Sequence, residues 1–361
     1  MRKLTSVEAN ATALLQVLPP SPLIARVPSS SPTNNYYGHG MFLFSAISIL
    51  DSAFDITTLS IILCLILFSS LSLSFIFHLH LKSRRAYHLQ NFNSLWSVRL
   101  LLVSFIAFWA LNEILHLPFF YQRYLYPFFP SLTLSEQTNI CKIHVVLSLG
   151  FFEPGFLISL LFLVDVSIKK RSPQDMWAIG SIILNCLPVF MLQVFFVFFS
   201  PLKAQLPDVF HVSYVLSIDP YNNKILMCTY PLFSIIVFAA FGIVYSLGFL
   251  FSYWKVVSLV INKGTRVRIH VLAFSVLVAL PMQVLFLALS SFWRPDHHTY
   301  RGAMLGMFVS VSFCAIVGEG ILVIKPIVDA LATGGHCLQY NTSVELPPVQ
   351  VGRREVVDVN R

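Results

Sequence analysis

Residues 143–168 make a hydrophobic run of membrane-crossing length with a carboxylate, Glu153, near its middle. About 20 apolar residues are enough to cross the hydrocarbon core as a helix, and this run exceeds that. Lys169, Lys170 and Arg171 follow at once. The positive-inside preference therefore assigns that end to the cytoplasm and Cys141 to the opposite side. Glu153 then falls near the midplane, where an ionisable group is costly and faces the bundle interior by preference. Pro154 withholds a backbone N–H and favours a kink.

The rest of the chain is organised in the same way. Only 11% of its 361 residues are charged, against about 25% in soluble domains, and 56% are hydrophobic. Apolar runs predict seven transmembrane helices at 56–79, 96–117, 143–168, 176–199, 226–254, 269–293 and 302–327. A flexible tail (1–40), an interfacial segment (41–55) and a C-terminal tail (328–361) complete an all-α polytopic membrane protein. Connectors after odd-numbered spans hold ten Lys and Arg against six after even-numbered ones. That bias predicts an outside N-terminus and an inside C-terminus.

The net charge of +8 reads as topology signal and attraction to membrane lipid. No basic stripe with interleaved aromatics lies outside the spans, so nucleic acid is not an expected partner. The sequence has no GxSxG, Walker loop or HExxH, so no enzyme activity and no cofactor are expected. No CxxC spacing occurs among the six cysteines, and no carboxylate or cysteine completes a metal set around His78, His80 and His88.

Polar residues inside the runs are the candidate sites. Glu113, Glu153, Gln193 and Gln283 fall at comparable depth by residue count, so they either surround a ligand pocket or make structural interhelical hydrogen bonds. Arg99 and Glu319 are expected to pair at the inner side, either as a latch or as a plain ion pair. Lys82, Arg84, Arg85, Lys169, Lys170, Arg171, Lys263, Arg266 and Arg268 are candidate contacts for a cytoplasmic partner, or topology determinants only. Cys141 and Cys228 both fall on the outer side, where a disulfide is expected. Asn10 opens a glycosylation sequon on that side, and Cys337 is a palmitoylation candidate beyond the last span.

Three stretches carry a family resemblance: 149–179 (LGFFEPGFLISLLFLVDVSIKKRSPQDMWAI), 257–287 (VSLVINKGTRVRIHVLAFSVLVALPMQVLFL) and 317–332 (VGEGILVIKPIVDALA). They resemble the plant seven-helix membrane proteins classed as candidate G-protein-coupled receptors, one branch of which has been proposed as phytomelatonin receptors. The likeness extends over about residues 41–332. It implies a signalling receptor in the plasma membrane, with an internal membrane as the alternative site. It further implies a heterotrimeric G-protein α subunit as partner and an indoleamine as small-molecule ligand. The third run ends Val-Asp-Val-Ser rather than Asp-Arg-Tyr and the seventh Ile-Lys-Pro-Ile rather than Asn-Pro-x-x-Tyr, so the activation switches of animal receptors do not carry over. The competing expectations are a proton-coupled small-molecule transporter and a membrane scaffold that recruits cytosolic proteins.

Overall fold

The computed structural model describes residues 37–83, 95–115, 133–166, 175–199, 205–218, 224–260, 263–295 and 297–331. It is mostly helical. In chain order the helices are α1 (Tyr37–Ser83), α2 (Trp96–Ile114), α3 (Leu134–Leu147), α4 (Glu153–Val166), α5 (Asp175–Val194), α6 (Leu232–Leu259), α7 (Lys263–Ser291) and α8 (His298–Glu319). A π turn, Ser148–Phe152, joins α3 to α4 into one continuous rod, and another, Gly320–Ile324, prolongs α8. A third π turn, Phe195–Phe199, prolongs α5. Seven of the resulting rods are long and apolar enough to cross a membrane: Ala53–Ser83, Trp96–Ile114, Leu134–Val166, Met176–Phe199, Leu232–Leu259, Lys263–Ser291 and His298–Leu331.

The described residues from Ser48 onward make one compact unit, and every contact reported below lies within it. Packing within it follows sequence periodicity. On α1 the buried positions are Thr58, Ile62, Leu65, Ser69, Ser72, Ile76, Leu79 and Ser83, alternating steps of four and three along one seam. Such a seam packs on one side only. The other side carries Leu67 and Leu81, 70% and 63% exposed, which suits contact with lipid tails rather than water. At the far end of the chain α7 and α8 pack most extensively against each other.

The helices also run beyond the apolar stretches in the sequence. From Ser48 on, α1 already runs through the end of the 41–55 segment. Asp55 is accommodated there because Arg301 lies 3.7 Å away. The third rod starts nine residues before the apolar run, at Leu134, because Thr133 and Glu136 form a capping box.

Among the described residues, one element departs from an all-α chain. Tyr214–Ile218 (β1) and Lys224–Cys228 (β2) form an antiparallel hairpin, with Tyr214 opposite Cys228. Hydropathy reads residues 226–231 as the start of a span. Instead they leave the membrane-length helix, because Pro231 is its N-cap in an extended conformation and α6 begins at Leu232. A disulfide between Cys141 on α3 and Cys228 on β2, with Cα atoms 5.1 Å apart, pins the hairpin to the third rod.

Candidate functional site

A buried polar network lies at the hairpin end of the bundle, and the first π turn builds it. In an α-helix, positions 148 and 153 would point in divergent directions. The wider turn of a π segment brings residues five apart onto one face. Pro154 has no N–H to offer the preceding turn, and the Glu153 N–H bonds back to the Ser148 carbonyl five residues earlier. Glu153 is thereby turned into line with Ser148 and His144, and all three are buried.

The network runs without interruption through three rods and into the segment that leads to α6. The Trp109 indole N–H on α2 donates to Glu153 Oε1 at 2.9 Å and to Ser148 Oγ at 3.1 Å. Gln283 on α7 donates to the other oxygen of Glu153 through its Nε2. The Ser148 hydroxyl donates to Glu113 Oε1 at 2.5 Å, and the Tyr230 hydroxyl reaches both Glu113 oxygens at 3.0 Å. His144 closes the chain, with Nε2 at 3.2 Å from the Tyr230 hydroxyl and 3.8 Å from Glu113 Oε2. Its Nδ1 faces the Asn112 carbonyl at 3.1 Å. A carbonyl only accepts, so Nδ1 carries a proton and donates to it, while the single Tyr230 proton goes to Glu113.

Both carboxylates therefore have all their oxygens occupied by internal donors. The surroundings are tight and aromatic: Trp109 packs on Phe308 with ring centres 6.0 Å apart. A cavity of about 40 Å³ is lined by Phe308 together with Phe54, Asp55, Tyr300 and Arg301 among others. It has room for a few waters, whereas drug-sized ligands occupy roughly 300–1,000 Å³.

Of the four residues expected around a pocket, Glu113, Glu153 and Gln283 are brought together. Gln193 is not. It is fully buried, but its Nε2 donates to the Ser234 carbonyl at 2.8 Å, and its Oε1 has no hydrogen-bond partner among the described residues. Its stem packs beside Gly150, where an added methyl would lie 3.1 Å from it.

The expected Arg99–Glu319 pair does not form. Glu319 is held by the hydroxyls of Ser69 and Ser72 on α1, at 2.8 and 2.9 Å. Arg99 leaves its Nε without a hydrogen bond. Similar depth along two helices does not make them face each other, and Glu319 points to the α1 seam instead.

At the end opposite the hairpin, Lys263 and Arg266 are exposed and Lys82 is half-buried. Arg268 is engaged with Asp329 at 3.2 Å, and Lys325 reaches the same carboxylate at 3.4 Å. Arg84, Arg85, Lys169, Lys170, Arg171, Asn10 and Cys337 lie outside the described residues. Trp109, His144, Ser148 and Tyr230 are absent from the sequence-derived site. The i, i+4 spacing of Trp109 with Glu113 and of His144 with Ser148 was the available signal.

Fold and site together define a helical protein with seven helices long and apolar enough to cross a membrane and a polar core at one end. The chain belongs to the family described as uncharacterised conserved protein UCP031277, whose model matches residues 44–338. Comparison with curated proteins gives no match.

Proposed function

We propose that this chain is a seven-transmembrane signalling receptor in which the network around Glu113 and Glu153 is the part that changes arrangement. The observation that carries this reading is the saturation of both carboxylates by donors from different rods: Trp109, Ser148, Gln283 and Tyr230. A site waiting for substrate leaves its polar groups free for it. A latch uses them internally and gives them up when a better partner arrives, and a ligand shifts the bundle only by its differential affinity for the two arrangements.

In this reading the hairpin end faces outside at the plasma membrane, and the opposite end, with Lys263 and Arg266, meets a heterotrimeric G-protein α subunit. An indoleamine suits the polar core chemically. Its N–H groups match the carboxylate acceptors, and its flat ring stacks on Trp109 and Phe308. The small cavity requires the bundle to open for it, so binding and rearrangement are one event.

The test is nucleotide exchange on a purified α subunit, with the chain in lipid nanodiscs, alongside binding of labelled melatonin. Wild type should show saturable, competable binding and ligand-stimulated exchange. Glu153→Gln, with its folding checked, should lose binding and raise exchange in the absence of ligand. Absence of exchange under every condition would sink the receptor reading. Proton flux into liposomes would then favour a transporter, and partner recruitment without either activity would favour a scaffold.

A further inference from the structure

Glu319 is a buried acid with no basic partner among the described residues. Its side chain is completely enclosed and is held only by the hydroxyls of Ser69 and Ser72, at 2.8 and 2.9 Å. Among the described residues no Lys, Arg or His nitrogen comes within 4.0 Å of it. An ionised carboxylate in such a place is costly unless a positive charge sits beside it. The described residues supply none, so the site has room in its charge balance for one added positive charge.

The surroundings are those of a hard-cation site. Ser69 and Ser72 sit at the centre of the α1 seam, between Leu65 and Ile76, where apolar side chains would otherwise continue. Both aim at Glu319. The neighbouring Ser70 and Ser74 behave differently and turn their hydroxyls back onto carbonyls four residues earlier, at 2.8 and 3.0 Å. The same alternative acceptor is open to any serine within a helix. If Ser69 and Ser72 make that rotation, their protons leave the site and their lone pairs turn toward Glu319. The two hydroxyl oxygens and the two carboxylate oxygens then converge on one point. The helix is also widened there, by the π turn that begins at Gly320. Pro326 withholds one backbone N–H from it, so a carbonyl oxygen nearby loses its helical donor.

We propose that Glu319, Ser69 and Ser72 bind a sodium ion between the first and last helices. The donor set is all oxygen, which suits a hard cation and offers nothing to a soft one. One carboxylate balances one charge, so a divalent ion would leave the interior positive. The oxygens already lie 2.8 and 2.9 Å apart across the site, so the smaller alkali ions require the least separation. This site is independent of the receptor reading, because it shares no residue with the Glu113–Glu153 network.

The experiment is equilibrium binding of radioactive sodium to the full chain in nanodiscs, in mildly alkaline choline buffer, with unlabelled sodium and potassium as competitors. Wild type should bind saturably, with sodium competing better than potassium. Glu319→Gln should abolish binding. Ser69→Ala and Ser72→Ala should each weaken it about tenfold or more, as loss of a supporting group does at metal sites. Glu153→Gln should bind sodium as wild type does, whatever becomes of receptor activity. Monodisperse elution and an unchanged melting temperature establish that each variant is folded, and the serine variants carry the test should Glu319→Gln fail to fold. The proposal is overturned by folded wild type that takes up no sodium, or by equal uptake in Glu319→Gln. Stabilisation by acid without sodium uptake also overturns it and makes the missing charge a proton.

Discussion

His144 and Asn112 hold each other reciprocally: the His144 ring Nδ1 donates to the Asn112 carbonyl at 3.1 Å, and the Asn112 side-chain amide donates to the His144 carbonyl at 3.1 Å. The two contacts are not equivalent. The first fixes a proton on Nδ1 and so orients the ring that meets Tyr230. The second only bridges α2 and α3.

His144→Phe should therefore be costlier than Asn112→Ala. The histidine variant removes two buried ring contacts, to Tyr230 and to the Asn112 carbonyl, which keeps its Leu115 N–H, a loss of about 1–3 kcal/mol for the two. The asparagine variant removes a single interhelical bond, about 0.6 kcal/mol on the membrane average. Reversible unfolding in lipid bicelles measures both, and the reverse order would contradict the donation from Nδ1.

Trp109→Phe keeps an aromatic ring against Phe308 but deletes the N–H shared by Glu153 and Ser148. A buried hydrogen bond contributes about 0.5–1.5 kcal/mol. A loss of that size is expected in bicelle unfolding. An unchanged stability would mean that Gln283 alone satisfies Glu153.

Two glycines on neighbouring rods should respond in opposite ways. A methyl added at Gly155 would lie 2.6 Å from the Phe105 ring, whereas at Gly180 it would meet nothing within 4 Å. Gly155→Ala should destabilise by about 1–3 kcal/mol through overpacking. Gly180→Ala should be neutral or stabilising by up to about 1 kcal/mol, through the unfolded chain. The same unfolding assay reads both, and the sign of the difference is the result at stake.

The ion pair of Arg268 with Asp329 is half-exposed on both sides. Asp329→Asn should leave stability almost unchanged, and raising the salt concentration should erase any difference. A larger, salt-insensitive loss would show that the pair is structural rather than superficial.

The helices were legible in the sequence because hydropathy and length alone determine which segments reach membrane-spanning size. Hydropathy could not locate their ends. Leu226 and Tyr230 are as apolar as a span requires, yet they lie outside α6, because Pro231 decides where the helix starts. The polar core was half legible for a related reason. Glu113, Glu153 and Gln283 stand out as costly residues in apolar runs. Rotation about each helix axis is invisible to residue counting, so Gln193 and Arg99 look equivalent to residues they never meet. The π turn before Glu153 changes that rotation locally, and no α-helical periodicity anticipates it.

The link between Cys141 and Cys228 spans 87 positions of sequence. It closes most of the third rod, the whole of the fourth and the hairpin into a covalent ring. A single protease cut anywhere inside that ring would leave the polypeptide in one piece until a reductant is added. The fourth rod, which lies wholly inside the ring, thus cannot be lost from the chain by a single scission.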